Sequence, residues 1–155
     1  MEGVKGKSAG TEIELERILK MIPHREPFLM IDRVIDAMPG KSAVGVKAVS
    51  VNEDYFRGHF PRRPLMPGVI IIETMAQTAA VLVVHTLGAD AEGKLVYFMS
   101  VEQARFRRPV VPGDTLHVRV ECQRHRGAVW KFAGKATVGD KVVADAIFTA
   151  MIVDD

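Results

Sequence analysis

A chain of 155 residues has the length of one domain and is long enough to bury a core of its own. Its hydrophobic share of 48% and charged share of 26% describe a globular protein, and a net charge of +2 gives no global reason to expect nucleic acid as a partner. A single cysteine, Cys122, excludes an internal disulfide and suits a reducing compartment. The histidines are scattered singly instead of at zinc spacing, so neither a metal nor another cofactor is expected.

Residues 1–11 hold Gly, Lys and Ser without an apolar run, which reads as a disordered leader and not as a secretory signal. Residues 12–155 are then a single domain, expected in the cytoplasm. Ile13, Ile18, Leu19 and Ile22 fall near helical spacing and Pro23 stops them, which predicts a short amphipathic helix over 12–22. Residues 28–37 read as a strand, Pro39-Gly40 as a turn, and 42–51 as the hairpin partner. Asn52-Glu53-Asp54 looks like the cap of a short helical piece that leads into Arg57-Gly58-His59.

Prolines then recur at 61, 64 and 67, so this loop is stiff and belongs to neither a helix nor a central strand. Gly68 precedes a helix over 69–87 that Gly88 ends; it is apolar almost all round, the pattern of a helix buried in a core. Glu73, Thr74, Gln77 and Thr78 interrupt it, which makes it too polar for a membrane span, and Glu73/Gln77 and Thr74/Thr78 are each four residues apart. Four strands follow, over 95–110, 115–123, 128–138 and 142–153, divided by the turns at 111–114, Arg126-Gly127 and Gly139-Asp140. One greasy helix among many strands is economically satisfied by an α+β architecture in which an antiparallel sheet wraps a long central helix.

Two ionisable residues stand out by context. His59 sits at the start of the stiff loop, and Glu73 in the buried helix, where an unpaired carboxylate is costly and tends to stay protonated. Each has an ordinary alternative: a histidine beside Phe60 can be structural, and a lone Glu can cap a buried donor or pair with an arginine. Together with the Pro67-Gly68 helix start, whose N–H groups and dipole suit an oxygen gaining negative charge, they are the three parts needed to eliminate water from a β-hydroxy carbonyl compound. Basic residues gather at Arg62 and Arg63, at Arg105, Arg107 and Arg108, and at Arg124, His125 and Arg126; such clusters either steer an acidic partner or simply face solvent.

The run from Gly58-His59-Phe60-Pro61 to Pro67-Gly68-Val69, then Glu73-Thr74-Met75-Ala76-Gln77, resembles the β-hydroxyacyl-acyl carrier protein dehydratases of bacterial type II fatty-acid synthesis, the FabZ type. Pro23-His24-Arg25, Phe28 to Asp32, Val96 to Met99 and Phe106 to Asp114 extend the likeness over nearly the whole chain after the leader. The resemblance implies the hot-dog fold and a homodimer whose sites each take the histidine from one chain and the carboxylate from the other, often assembled as a trimer of dimers. It implies His59 as the base, Glu73 as the acid, the Gly68 N–H as the group that polarises the thioester carbonyl, and Tyr97 as an aromatic gate on the acyl tunnel. It makes acyl carrier protein the partner, with Arg105, Arg107 and Arg108 as the expected docking face. The bifunctional dehydratase/isomerases carry Asp where this chain has Glu73 and Trp where it has Ala76, which favours a trans-2-enoyl product. The rival readings are a hot-dog acyl-thioester hydrolase and a non-catalytic acyl-binding subunit.

Overall fold

The computed structural model describes residues 10–154. In chain order it contains β1 (Thr11–Ile13), α1 (Leu15–Met21), β2 (Arg33–Met38), β3 (Ser42–Ala48), a 3-10 turn (Asp54–Arg57), α2 (Gly68–Leu87), a second 3-10 turn (Ala89–Ala91), β4 (Leu95–Phe106), β5 (Thr115–Arg126), β6 (Val129–Val138) and β7 (Lys141–Val153). The strands form one antiparallel sheet in the order β1-β2-β3-β5-β6-β7-β4. Alternation along β5, β6 and β7 turns Leu116, Val118, Val120, Trp130, Phe132, Ala144, Phe148 and their neighbours inward. α2 lies against that inner face, with thirteen of its residues between Ile71 and Val84 buried. This is the expected α+β architecture.

Several boundaries move, each because a tertiary partner takes over the backbone. The helix expected over 12–22 is halved: Thr11 and Ile13 pair with Ala37 and Val34 of β2, and the helix starts only at Leu15. Two β-branched residues beside an open sheet edge gain ladder bonds that a frayed first helical turn lacks. Thr11, assigned above to the leader, is therefore part of the sheet; the rest of that segment up to residue 9 lies outside the described residues. The strand expected over 28–37 begins only at Arg33, because the Gln77 side chain binds the backbone of Phe28 and Met30. β4 stops at Phe106, short of Pro109, which has no N–H to offer a ladder.

α2 is long and apolar enough to cross a membrane by length and composition alone, but most of it is enclosed by the protein, in keeping with the core helix expected above. Thr74 and Thr78 are tolerated there because each hydroxyl donates to the carbonyl four residues earlier, Ile70 O at 2.8 Å and Thr74 O at 2.9 Å. The sheet approaches the helix closely at Gly45 of β3, where a Cβ would overlap the Thr78 hydroxyl.

Candidate active site

His59 is delivered by the 3-10 turn, whose Phe56 is buried and whose start is held by a buried ion pair, Lys47 Nζ to Glu53 Oε2 at 2.8 Å. The His59 N–H donates to Tyr55 O at 3.1 Å, and the His59 carbonyl accepts from Leu65 N at 2.9 Å. Its ring stacks on Phe60 with centroids 4.1 Å apart. Phe60 and Arg63 exchange two backbone hydrogen bonds across the proline loop, and Met66 N binds Val110 O at 2.8 Å beyond the end of β4. Most informative is the 2.7 Å contact of His59 Nδ1 with Leu65 O. A carbonyl only accepts, so Nδ1 donates and any lone pair on the ring lies on Nε2.

His59 opens onto a cleft of about 430 Å³ whose walls include Leu65, Gly68, Val69, Phe106 and Arg108. Gly68 starts α2 directly after Pro67, and the first N–H groups of a helix have no intrahelical acceptors. The Phe106 ring lies over this start so closely that a Cβ on Gly68 would come within 2.7 Å of it. Glycine is therefore what lets the Phe106 ring pack against the start of the helix.

Glu73 lies farther along α2 and is mostly buried, its side chain 18% exposed. Its Oε2 accepts from Gln77 Nε2 at 2.8 Å, the i,i+4 contact that the spacing suggested. Burial raises its pKa above the usual carboxylate value, while the Gln77 bond pulls in the opposite direction. Gln77 is itself wholly buried and fully used: Nε2 also reaches Phe28 O at 2.8 Å and Oε1 accepts from Met30 N at 2.8 Å. His24 Nε2 faces the same Glu73 oxygen at 3.7 Å. His24 was noticed in the sequence only within a family motif, and its proximity to Glu73 has no signal in the local pattern.

Within one chain the two ionisable residues are separate: among the described residues no hydrogen bond or ion pair joins His59 to Glu73. Tyr97 is likewise away from the His59 cleft, on β4 and 55% exposed. The three arginines are not equivalent. Arg107 is engaged by Asp145 at 2.7 Å, Arg105 sits opposite the same Asp145 in the β4–β7 register, and Arg107 and Arg108 both line the His59 cleft. Among the described residues no three His, Cys, Asp or Glu side chains gather as a metal-ligating group.

Residues 22–147 match the FabA-like domain family. The chain is 62% identical over 145 residues to a 3-hydroxyacyl-[acyl-carrier-protein] dehydratase FabZ of Rhodospirillum rubrum, a match covering 94% of this chain and 91% of that protein. It is 60% identical over 151 residues to the protein of the same description from Paramagnetospirillum magneticum, covering 97% and 94%. Among solved structures, the dehydratase heterocomplex ApeI:P from Xenorhabdus doucetiae shares the fold, with TM-score 0.75 over 89% of this chain and 91% of that one at 17% identity.

Proposed function

The chain belongs to the FabA-like family, and from that premise we propose that it removes water from 3-hydroxyacyl chains carried on acyl carrier protein, as its FabZ relatives are named for doing. It is a hydro-lyase of fatty-acid synthesis. The observation that carries the chemistry is the His59 ring, whose Nδ1–H is committed to Leu65 O beside the start of α2. In this reading Nε2 takes a proton from the carbon next to the thioester, and the C–H electron pair becomes the new double bond. The C–O bond to the β-carbon breaks, and Glu73 supplies the proton with which the hydroxyl leaves as water. The Gly68 N–H holds the thioester oxygen, which gains negative charge as the proton is drawn off. Glu73 and Ala76 favour release of the trans-2-enoyl thioester without isomerisation.

Base and acid meet across a dimer. Two features support this. His59 and Glu73 are each built for chemistry yet unconnected within one chain, and β4, an edge of the sheet, exposes Tyr97, Phe98, Met99, Val101 and Phe106. An exposed apolar edge strand is a template for a second copy. In that assembly Tyr97 serves as the gate of the acyl tunnel, and dimers associate further into a trimer of dimers in the cytoplasm. The carrier docks beside the His59 cleft, with Arg108 the leading contact and Arg105 and Arg107 assisting.

Purified protein incubated with a 3-hydroxyacyl-acyl carrier protein should give the conjugated enoyl thioester, read by ultraviolet absorption and mass; release of a free thiol would instead make it a hydrolase, and no reaction a binding subunit. Co-expressed His59→Ala and Glu73→Ala chains, purified as the doubly tagged dimer, should recover about half the wild-type activity, because one site collects both defects. An inactive but folded mixed dimer overturns the shared site. Replacing Arg105 and Arg108 with Glu should raise KM for the carrier-bound substrate severalfold and spare a small N-acetylcysteamine thioester. Equal losses on both substrates would make the arginines structural.

A further inference from the structure

The reaction above leaves unused a mostly buried ionisable side chain beside Glu73. His24 faces Glu73 with its Nε2 3.7 Å from Oε2, its own side chain only 15% exposed. That gap is too long for a direct hydrogen bond, and a ring movement of roughly an ångström would close it. On the other side of the ring Nδ1 is buried with no hydrogen-bond partner, so the imidazole is not anchored there. The backbone around it is anchored. The Arg25 guanidinium donates to the carbonyls of Leu19, Ile22 and His24 at 2.7, 3.0 and 2.7 Å, and Gln77 ties down Phe28 and Met30 just beyond. A held backbone thus presents a loosely held ring to the carboxyl. The ionisable groups facing His24, among the described residues, are Arg25 on its own segment and Glu73 on α2.

We propose that His24 is a positioning residue for the acid: with its proton on Nε2 it becomes a second donor to Glu73 Oε2, beside Gln77, as Glu73 gives up its proton. This rests on Glu73 being the acid of the reaction proposed above. When the Glu73 O–H bond breaks, its electron pair stays on the carboxylate and the proton departs in the water molecule; His24 keeps its own proton throughout. The charge left behind is in a buried place, and a second N–H directed at it stabilises the ionised form in which the transition state is developing. Burial, and after it the neighbouring Arg25, lower the pKa of His24, so the ring meets Glu73 as a neutral donor.

The test is a titration of the Glu73 carboxyl by carbon NMR in Glu-labelled protein, its resonance assigned by its absence in Glu73→Gln. In His24→Leu the Glu73 pKa should rise by about one pH unit, kcat should fall about tenfold, the alkaline limb of the rate profile should move up with the carboxyl, and KM should stay within about twofold. His24→Gln, which keeps an N–H near the position of Nε2, should recover most of both losses. An unshifted Glu73 resonance in folded His24→Leu overturns the proposal, as does a Gln variant no better than Leu. If neither variant folds, nitrogen NMR of the wild-type ring decides: a proton on Nε2 is expected, and a proton on Nδ1 alone defeats the assignment. Failure of the underlying reading looks different, since Glu73→Gln would then stay active whatever His24 does.

Discussion

Glu73, the proposed acid, shows how burial of one ionisable side chain trades against stability. In the unfolded chain this carboxyl ionises near 4.5; in the folded protein burial delays ionisation to a higher pH. Below 4.5 both states hold the proton and the residue costs little. As pH rises through that value the unfolded chain releases its proton first, so the fold loses stability until the folded pKa is passed. Glu73→Gln keeps the shape without the charge. It should melt about 1–4 °C higher than wild type at pH 8 and no higher at pH 4, while turnover falls at least about 100-fold. Calorimetry at the two pH values checks the first outcome and the enoyl assay the second. In the wild type the rate should fall as Glu73 ionises, with that limb above the ordinary carboxylate range. At this scale much was legible: a Glu in an apolar helix announces a pKa problem, and four-residue spacing announces Gln77. The Leu65 carbonyl that sets the His59 tautomer was not, because a backbone acceptor six residues on depends on how the proline loop closes.

Elements were read well where their residues decide locally and poorly where a neighbour decides. α2 and the hairpins β5–β6 and β6–β7 follow from apolar periodicity and glycine turns. β1 and the late start of β2 do not, since an edge ladder claims the one and Gln77 claims the residues before the other. The helix–sheet interface has a similar nonlocal requirement at Gly45. An Ala there would drive its Cβ into the Thr78 hydroxyl, which is already committed to Thr74 O, and against Ile31 Cγ2 at 3.2 Å. Gly45→Ala should therefore destabilise the protein by about 1–3 kcal/mol, measured as a lower urea midpoint with an unchanged slope. An unaltered midpoint would mean that α2 can shift away without loss.

For the whole molecule the decisive feature is the edge formed by β4, whose residues from Tyr97 to Phe106 are all exposed. Val101→Lys places a charge in the middle of that strand and should block edge-to-edge pairing. Sedimentation should then show a monomer with wild-type circular dichroism and almost no dehydratase activity, as the proposed shared site requires. A monomer that remains fully active would put base and acid in one chain. The amino-acid sequence by itself determined the fold class, the central helix and the stiff loop, and it singled out His59 and Glu73 as candidates, because each is written in local chemistry: prolines that lock the backbone, a glycine at a helix start, a carboxyl among apolar residues. Only the tertiary structure decided that β3 pairs with β5 and β4 with β7, and that His24 faces Glu73. Those outcomes join residues far apart in the chain, and they are settled by which faces and edges are left to be covered once each element has formed.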